Sequence, residues 1–133
     1  MKRMVLIAHD TKREAMVRWI RSWRGELEGM ELYATGPSGR EAFGELGLTV
    51  RPVSTGSCGE HEALRRMIEE ENVDLILFFW ERMFRKFSGI DPGAVLVMAD
   101  RYDIPAALNP GTADCFFRSM LREARSIPRR MAI

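Results

Sequence analysis

The sequence predicts a three-layer α/β/α fold built on a five-stranded, mainly parallel, Rossmann-like sheet. Three observations carry that prediction. Short apolar runs rich in branched residues recur along the chain, each run is followed by a turn of small or polar residues, and each turn leads into a segment with helical periodicity. Five such alternations fit one sheet with right-handed crossovers.

Met4 to Ala8 is a continuous apolar run suited to a strand covered on both faces. Thr11 and Glu14 have capping-box spacing just beyond it, and Met16, Ile20, Trp23 and Leu27 recur at helical intervals, so a helix is expected to begin at Thr11. Leu32 to Thr35 is the second strand, and Ser38 with Glu41 repeats the capping spacing before a short helix closed near Gly47. Leu48 to Val53 is the third strand. STGSCG then turns into a helix whose buried stripe is Leu64, Met67 and Ile68. Asp74 to Trp80, DLILFFW, is the most apolar run and the expected central strand. After the looser basic segment ERMFRKFSGIDPG, a helix is expected from Pro92 to Tyr102, a fifth strand from Pro105 to Leu108, and a last helix from NPGTAD onward. Trp19, Trp23, Phe116, Phe117 and Met120 read as core or subunit-contact residues.

A chain of 133 residues, 46% hydrophobic and 29% charged, is expected to form a single domain spanning residues 1–133 without metal or disulfide staples. The net charge of +1 gives no reason to expect nucleic acid or an anionic membrane as a partner. Cys58 and Cys115 belong to no metal-binding spacing, and a reduced, cytoplasmic setting is the expectation. The apolar run at the N-terminus is too short for a signal peptide or a membrane span.

In an open parallel sheet, ligands bind beyond the carboxyl ends of the strands. His9 and Asp10, Thr35 to Ser38, Thr55 to His61, Glu81, and Asn109 to Asp114 all fall there. Turns combining small residues with hydroxyls present N–H and O–H donors to an anion, so a phosphate or carboxylate ligand is expected. ATGPSG lacks the lysine and the glycine spacing of a nucleotide P-loop, and turn chemistry alone also accounts for Gly36, Pro37 and Gly39.

The segments LIAHD, LYATGPSG, the TG of STGSCG, LILFFW and IPAALNPGTAD, in this order and at these separations, resemble the methylglyoxal synthase family. The resemblance runs to about Met120. It implies a homohexamer that converts dihydroxyacetone phosphate to methylglyoxal and inorganic phosphate with neither metal nor organic cofactor. By the same resemblance, His9 contacts substrate and Asp10 supports the site. Phosphate is gripped by Thr35, Gly36, Ser38 and Gly56, with Arg13 or the adjacent Lys12 as the basic ligand. Pro37 replaces a family threonine, removing a hydroxyl and a backbone donor.

The family's catalytic aspartate lies in a turn reading GGDQQ. This chain has Gly59, Glu60, His61, Glu62 and Ala63 there, so His61 stands at the aspartate's position. Three readings remain open: His61 is a replacement base, Glu60 is the base in a repacked turn, or these residues only start a helix, with Ser57 and Glu60 as a capping box and His61 facing solvent. Glu81 stands for a second family aspartate, Asp91 survives from a His-Asp-Pro segment in which Ile90 replaces the histidine, and Asn109, Thr112 and Asp114 match the family's Nxx-TAD. The family also brings in an arginine from a neighbouring subunit, but LREARSIPRRMAI offers no clear counterpart. A lyase, a phosphate-binding regulatory domain without the base, and a related enzyme of a small phosphorylated ligand are the functions to weigh.

Overall fold

A computed structural model describes residues 2–35, 44, 46–53, 59–70, 73–81 and 91–124. The expected sheet is present: β1 (Arg3–Ala8), β2 (Glu31–Ala34), β3 (Val50–Pro52), β4 (Leu75–Phe79) and β5 (Ala106–Ala107) lie in the order β3-β2-β1-β4-β5, and every pairing is parallel. The described helices are α1 (Arg13–Ser22), α2 (Arg24–Leu27), α3 (Glu60–Glu70), α4 (Pro92–Arg101) and α5 (Pro110–Ala124).

Strand alternation divides the core into two layers. Met4, Leu6, Leu75, Leu77 and Phe79 face α1 and α5, where Met16, Ile20, Ala113 and Phe117 meet them; Val5, Ile7, Ile76 and Phe78 face α3 and α4, where Leu64, Ile68, Val95 and Ala99 close the other side. That double covering is why β1 and β4 are apolar at every central position. Trp19, Trp23 and Phe117 pack as an aromatic trio, with Trp23 and Phe117 edge to face at 5.0 Å. Trp19, Phe117 and Met120 are buried, as expected of core residues.

Several boundaries differ from the pattern. The Thr11–Glu14 capping box does not start α1. The His9 ring takes the Thr11 N–H instead, a short 3-10 turn covers Asp10–Lys12, and the α-helix begins at Arg13. The run to Leu27 is also not one helix, because Trp23 leaves helical geometry (φ −113°, ψ 15°) between α1 and α2. The third strand keeps only three of its six expected residues; as an edge strand it tolerates Pro52, which has no N–H to donate. Gly47 has φ +81°, a conformation suited to a helix-closing glycine, while the helix expected ahead of it falls largely outside the described residues.

Two glutamates titrate below the usual carboxylate range for local reasons. Glu31 accepts from Arg3 Nε at 2.7 Å and pairs with Arg51, joining β2 to both neighbouring strands; Glu62 is held by Arg65 and then Arg66 along α3. Their folded pKa values lie below the ordinary value of 4.5, so the stability they add is present above that value and is lost as pH falls through the lowered one. Glu31→Gln should therefore flatten the loss of thermal stability between about pH 6 and about pH 3, checked by unfolding midpoints across that range. An unchanged slope would mean that the pair contributes nothing, as exposed ion pairs often do.

Candidate functional site

The chain order along the sheet reverses direction between β1 and β4, which makes the carboxyl ends of those two strands the crevice where ligands bind in such sheets. Ala8 pairs with Phe79 in register, and the His9 N–H donates to the Phe79 carbonyl at 2.9 Å. That bond extends the ladder one step past β1 and places His9 beside the chain that continues through Trp80 to Glu81.

His9 is the polar side chain that joins the buried class among the described residues, at 9% exposure. Its Nδ1 accepts the Thr11 backbone N–H at 3.2 Å and lies 2.9 Å from the Thr11 hydroxyl. A backbone N–H can only donate, so in the neutral ring Nδ1 holds the lone pair and Nε2 holds the proton. His9 thereby becomes a fixed hydrogen-bond donor at the edge of the sheet. Sequence reading passed over Thr11 as a contributor to this geometry; its place two residues after His9, at the start of a turn, is the signal that could have found it.

The residues after His9 differ in their partners. Asp10 is largely exposed and binds the Arg13 guanidinium at 2.8 Å, the cation expected to hold phosphate. Lys12, half-buried on the same turn, has no ion-pair partner among the described residues. Thr35 follows β2, with its N–H on the Leu6 carbonyl at 3.4 Å. Gly36, Ser38 and Gly56 lie outside the described residues.

Beyond β3, α3 begins at Glu60, and both Glu60 and His61 are half-buried. His61 Nδ1 is buried and has no hydrogen-bond partner among the described residues. His61 is therefore neither fully exposed nor fully buried, with its Nδ1 the shielded atom. Ser57, the other half of the proposed capping box, lies outside the described residues. Glu62 turns along the helix to Arg65 and Arg66 and serves the helix surface.

Glu81, two residues past β4, is half-buried and makes no hydrogen bond or ion pair among the described residues. Asp91 and Asn109 have architectural partners. Asp91 caps α4 by accepting the Gly93 N–H at 3.1 Å, and Asn109 caps the start of α5 by accepting the Thr112 N–H at 2.9 Å. The carboxyl edge thus carries a buried imidazole donor, a second imidazole with a buried ring nitrogen, a half-buried carboxylate and a lysine. Side chains of these kinds can bind an anionic oxygen compound and exchange a proton with it.

A cleft of about 840 Å³ opens at the opposite edge of the sheet, where Asp74, Leu75, Ile104 and Pro105 lie at the amino ends of β4 and β5. It gathers none of the candidate residues. Among the described residues, no group of three or more His, Cys, Asp or Glu is placed to hold a metal ion, and no helix is long and apolar enough to cross a membrane.

Comparison with known proteins points in the same direction. The chain is 33% identical over 120 residues to a methylglyoxal synthase of Vibrio campbellii, covering 90% of this chain and 80% of that protein. It is 35% identical over 118 residues to a methylglyoxal synthase of Leptospira interrogans, covering 89% and 80%. The crystal structure of methylglyoxal synthase from Elizabethkingia anophelis superposes with a TM-score of 0.74 at 33% identity, over 85% of this chain and 74% of that one. No protein-family model matches the chain.

Proposed function

Because the chain belongs to the methylglyoxal synthase family, we propose that it converts dihydroxyacetone phosphate to methylglyoxal and inorganic phosphate. The observation that carries this reading is the buried His9, its Nδ1 engaged by Thr11 and its Nε2 left to carry the proton. A neutral imidazole donor at that place suits the ketone oxygen of the substrate, where negative charge grows as the adjacent carbon loses a proton. A base takes that proton, and the electron pair forms the enediolate. Collapse of the enediolate breaks the C–O bond on the other side of the former ketone and expels phosphate. The departing phosphate takes the hydroxyl proton of the enediolate, and the enolate left behind takes back a proton on its terminal carbon to become methylglyoxal.

In this reading His61 is the base, with its ring turned inward at the family's aspartate position, and Glu60 is its neighbour in the same turn. Glu81 orients the reacting hydroxyl. Thr35, with Gly36, Ser38 and Gly56, supplies the uncharged phosphate donors, and the turn carrying Lys12 and Arg13 supplies the charge. Asp10 acts through Arg13, and Asp91 and Asn109 hold the helix starts that frame the edge. The chain assembles as a homohexamer, an expectation that light scattering checks.

The decisive experiment gives purified protein dihydroxyacetone phosphate and follows both products. Methylglyoxal and phosphate in equal amounts are expected. The substitution of histidine for the family's aspartate supports one other reading, a phosphate-binding module without catalysis. No turnover together with saturable phosphate binding would establish that reading instead. Lys12 and Arg13 are separable in the same assay. Lys12→Met should raise KM by about 10-fold or more, the loss of one charge-assisted hydrogen bond, while Arg13→Met has the smaller effect because Asp10 already holds that guanidinium. The reverse order would return the phosphate role to Arg13.

A further inference from the structure

The polar atom that ties α1 to α5 lies in the aromatic seam between them. Asp114 Oδ1 accepts two hydrogen bonds, from Trp19 Nε1 and from Trp23 Nε1, each at 2.9 Å, across 95 and 91 residues of sequence. The Trp23 indole also carries the Arg118 guanidinium 5.7 Å from its ring centroid. Around this point the contacts are apolar: Trp19 lies edge to face with Phe117 at 5.4 Å, and Met16, Ile20, Ala113 and Met120 fill the layer beneath. Apolar contact has no preferred direction, so it fixes the register of one helix on another less sharply than a directed bond does. Two donors converging on a single oxygen are directional and hold that register.

Both helices begin at the carboxyl edge. Lys12 and Arg13 stand at the start of α1, and Asn109 caps α5. With a rise of about 1.5 Å per residue, Asp114 lies about 6 Å along α5 from Pro110 and Trp19 about 9 Å along α1 from Arg13, with Trp23 just past the end of α1. We infer that Asp114 is a positioning residue, setting the axial register of α1 against α5 and hence where Lys12 stands relative to the Asn109 turn. The inference rests on the proposed reaction only for its kinetic readout; the register itself is a property of the fold.

The test compares Asp114→Ala with Asp114→Asn, whose carboxamide oxygen can still accept both indole N–H groups. Three indole N–H resonances are expected in the wild type, and Trp80 serves as the internal control. Asp114→Ala should move the Trp19 and Trp23 signals and leave Trp80 in place. Residual dipolar couplings should report a changed orientation of α1 against α5. At a temperature where circular dichroism shows the variant fully folded, KM for dihydroxyacetone phosphate should rise about 10-fold. Asp114→Asn should stay within about twofold of wild type on every measure. Unchanged couplings and unchanged KM in folded Asp114→Ala would overturn the inference and leave Asp114 as a partner for the indoles alone. If the wild type does not turn over the substrate, the proposed reaction fails on its own. The couplings, and the dissociation constant for inorganic phosphate, then decide the inference. If Asp114→Ala does not fold, a failure of Asp114→Asn to keep the indole signals, couplings and KM overturns it.

Discussion

Replacing His61 with alanine lowers the turnover of dihydroxyacetone phosphate by about 10²- to 10⁴-fold, the range a positioned general base contributes, while phosphate still binds. The expectation comes from the first turn of α3, where the His61 ring is half-buried and its Nδ1 is buried without a hydrogen-bond partner among the described residues. On the proposed reading this is the position that corresponds to the family's catalytic aspartate. Glu60→Ala is the necessary comparison, because Glu60 is also half-buried in that turn. Steady-state kinetics on the two variants separate them: a large loss in kcat confined to His61→Ala identifies the base. The same loss confined to Glu60→Ala would transfer the role to the carboxylate. Comparable small effects in both would mean that neither residue moves the proton. On the proposed reading, His61→Asp should recover only part of the activity, since a carboxylate is shorter than the ring and the substrate must shift to meet it.

Phe79→Ala is expected to destabilise the protein by about 3 to 5 kcal/mol, the cost typical of emptying a buried aromatic position. Phe79 ends β4, the strand between β1 and β5, and is 2% exposed in the layer shared with α1 and α5. Small domains have about 5 to 15 kcal/mol in total, so this single change removes a large share. Urea unfolding should show a lower midpoint with an unchanged slope, which separates lost stability from a changed unfolded state. Phe79→Leu fills most of the volume and should cost much less. A loss under about 1 kcal/mol for Phe79→Ala would mean that α1 and α5 collapse onto the vacated space. Because the Phe79 carbonyl, and not its ring, accepts the His9 N–H, the fraction that remains folded should keep its activity.

Much of the architecture was legible in the sequence because it depends on short-range periodicity and burial. LILFF reads as a central strand since both of its faces must be covered, and in the fold all five residues are buried. Leu64, Met67 and Ile68 fall on the inward stripe of α3 as their spacing requires. The candidate residues could be assigned to one edge for the same reason: in a parallel sheet every strand ends on the same side. Element ends were less legible. Thr11 has the spacing of a cap, yet the His9 ring, made available by its place at the end of β1, takes the Thr11 N–H first and delays α1 to Arg13. Asp114 reads as a helix-start residue, yet its carboxylate serves the indole of Trp19 on α1 and that of Trp23 just past its end.

By itself, then, the sequence determined the five strands, the two apolar faces of the sheet and the edge at which the candidate residues fall, because each follows from side-chain period along a few neighbouring residues. Only the tertiary structure decided which partner each polar group takes: Thr11 for His9, Asp10 for Arg13, two tryptophans for Asp114, and a buried setting for the His61 nitrogen. Those choices depend on distance and direction between atoms, and for Asp114 the partners come together only when helices more than ninety residues apart pack against one sheet.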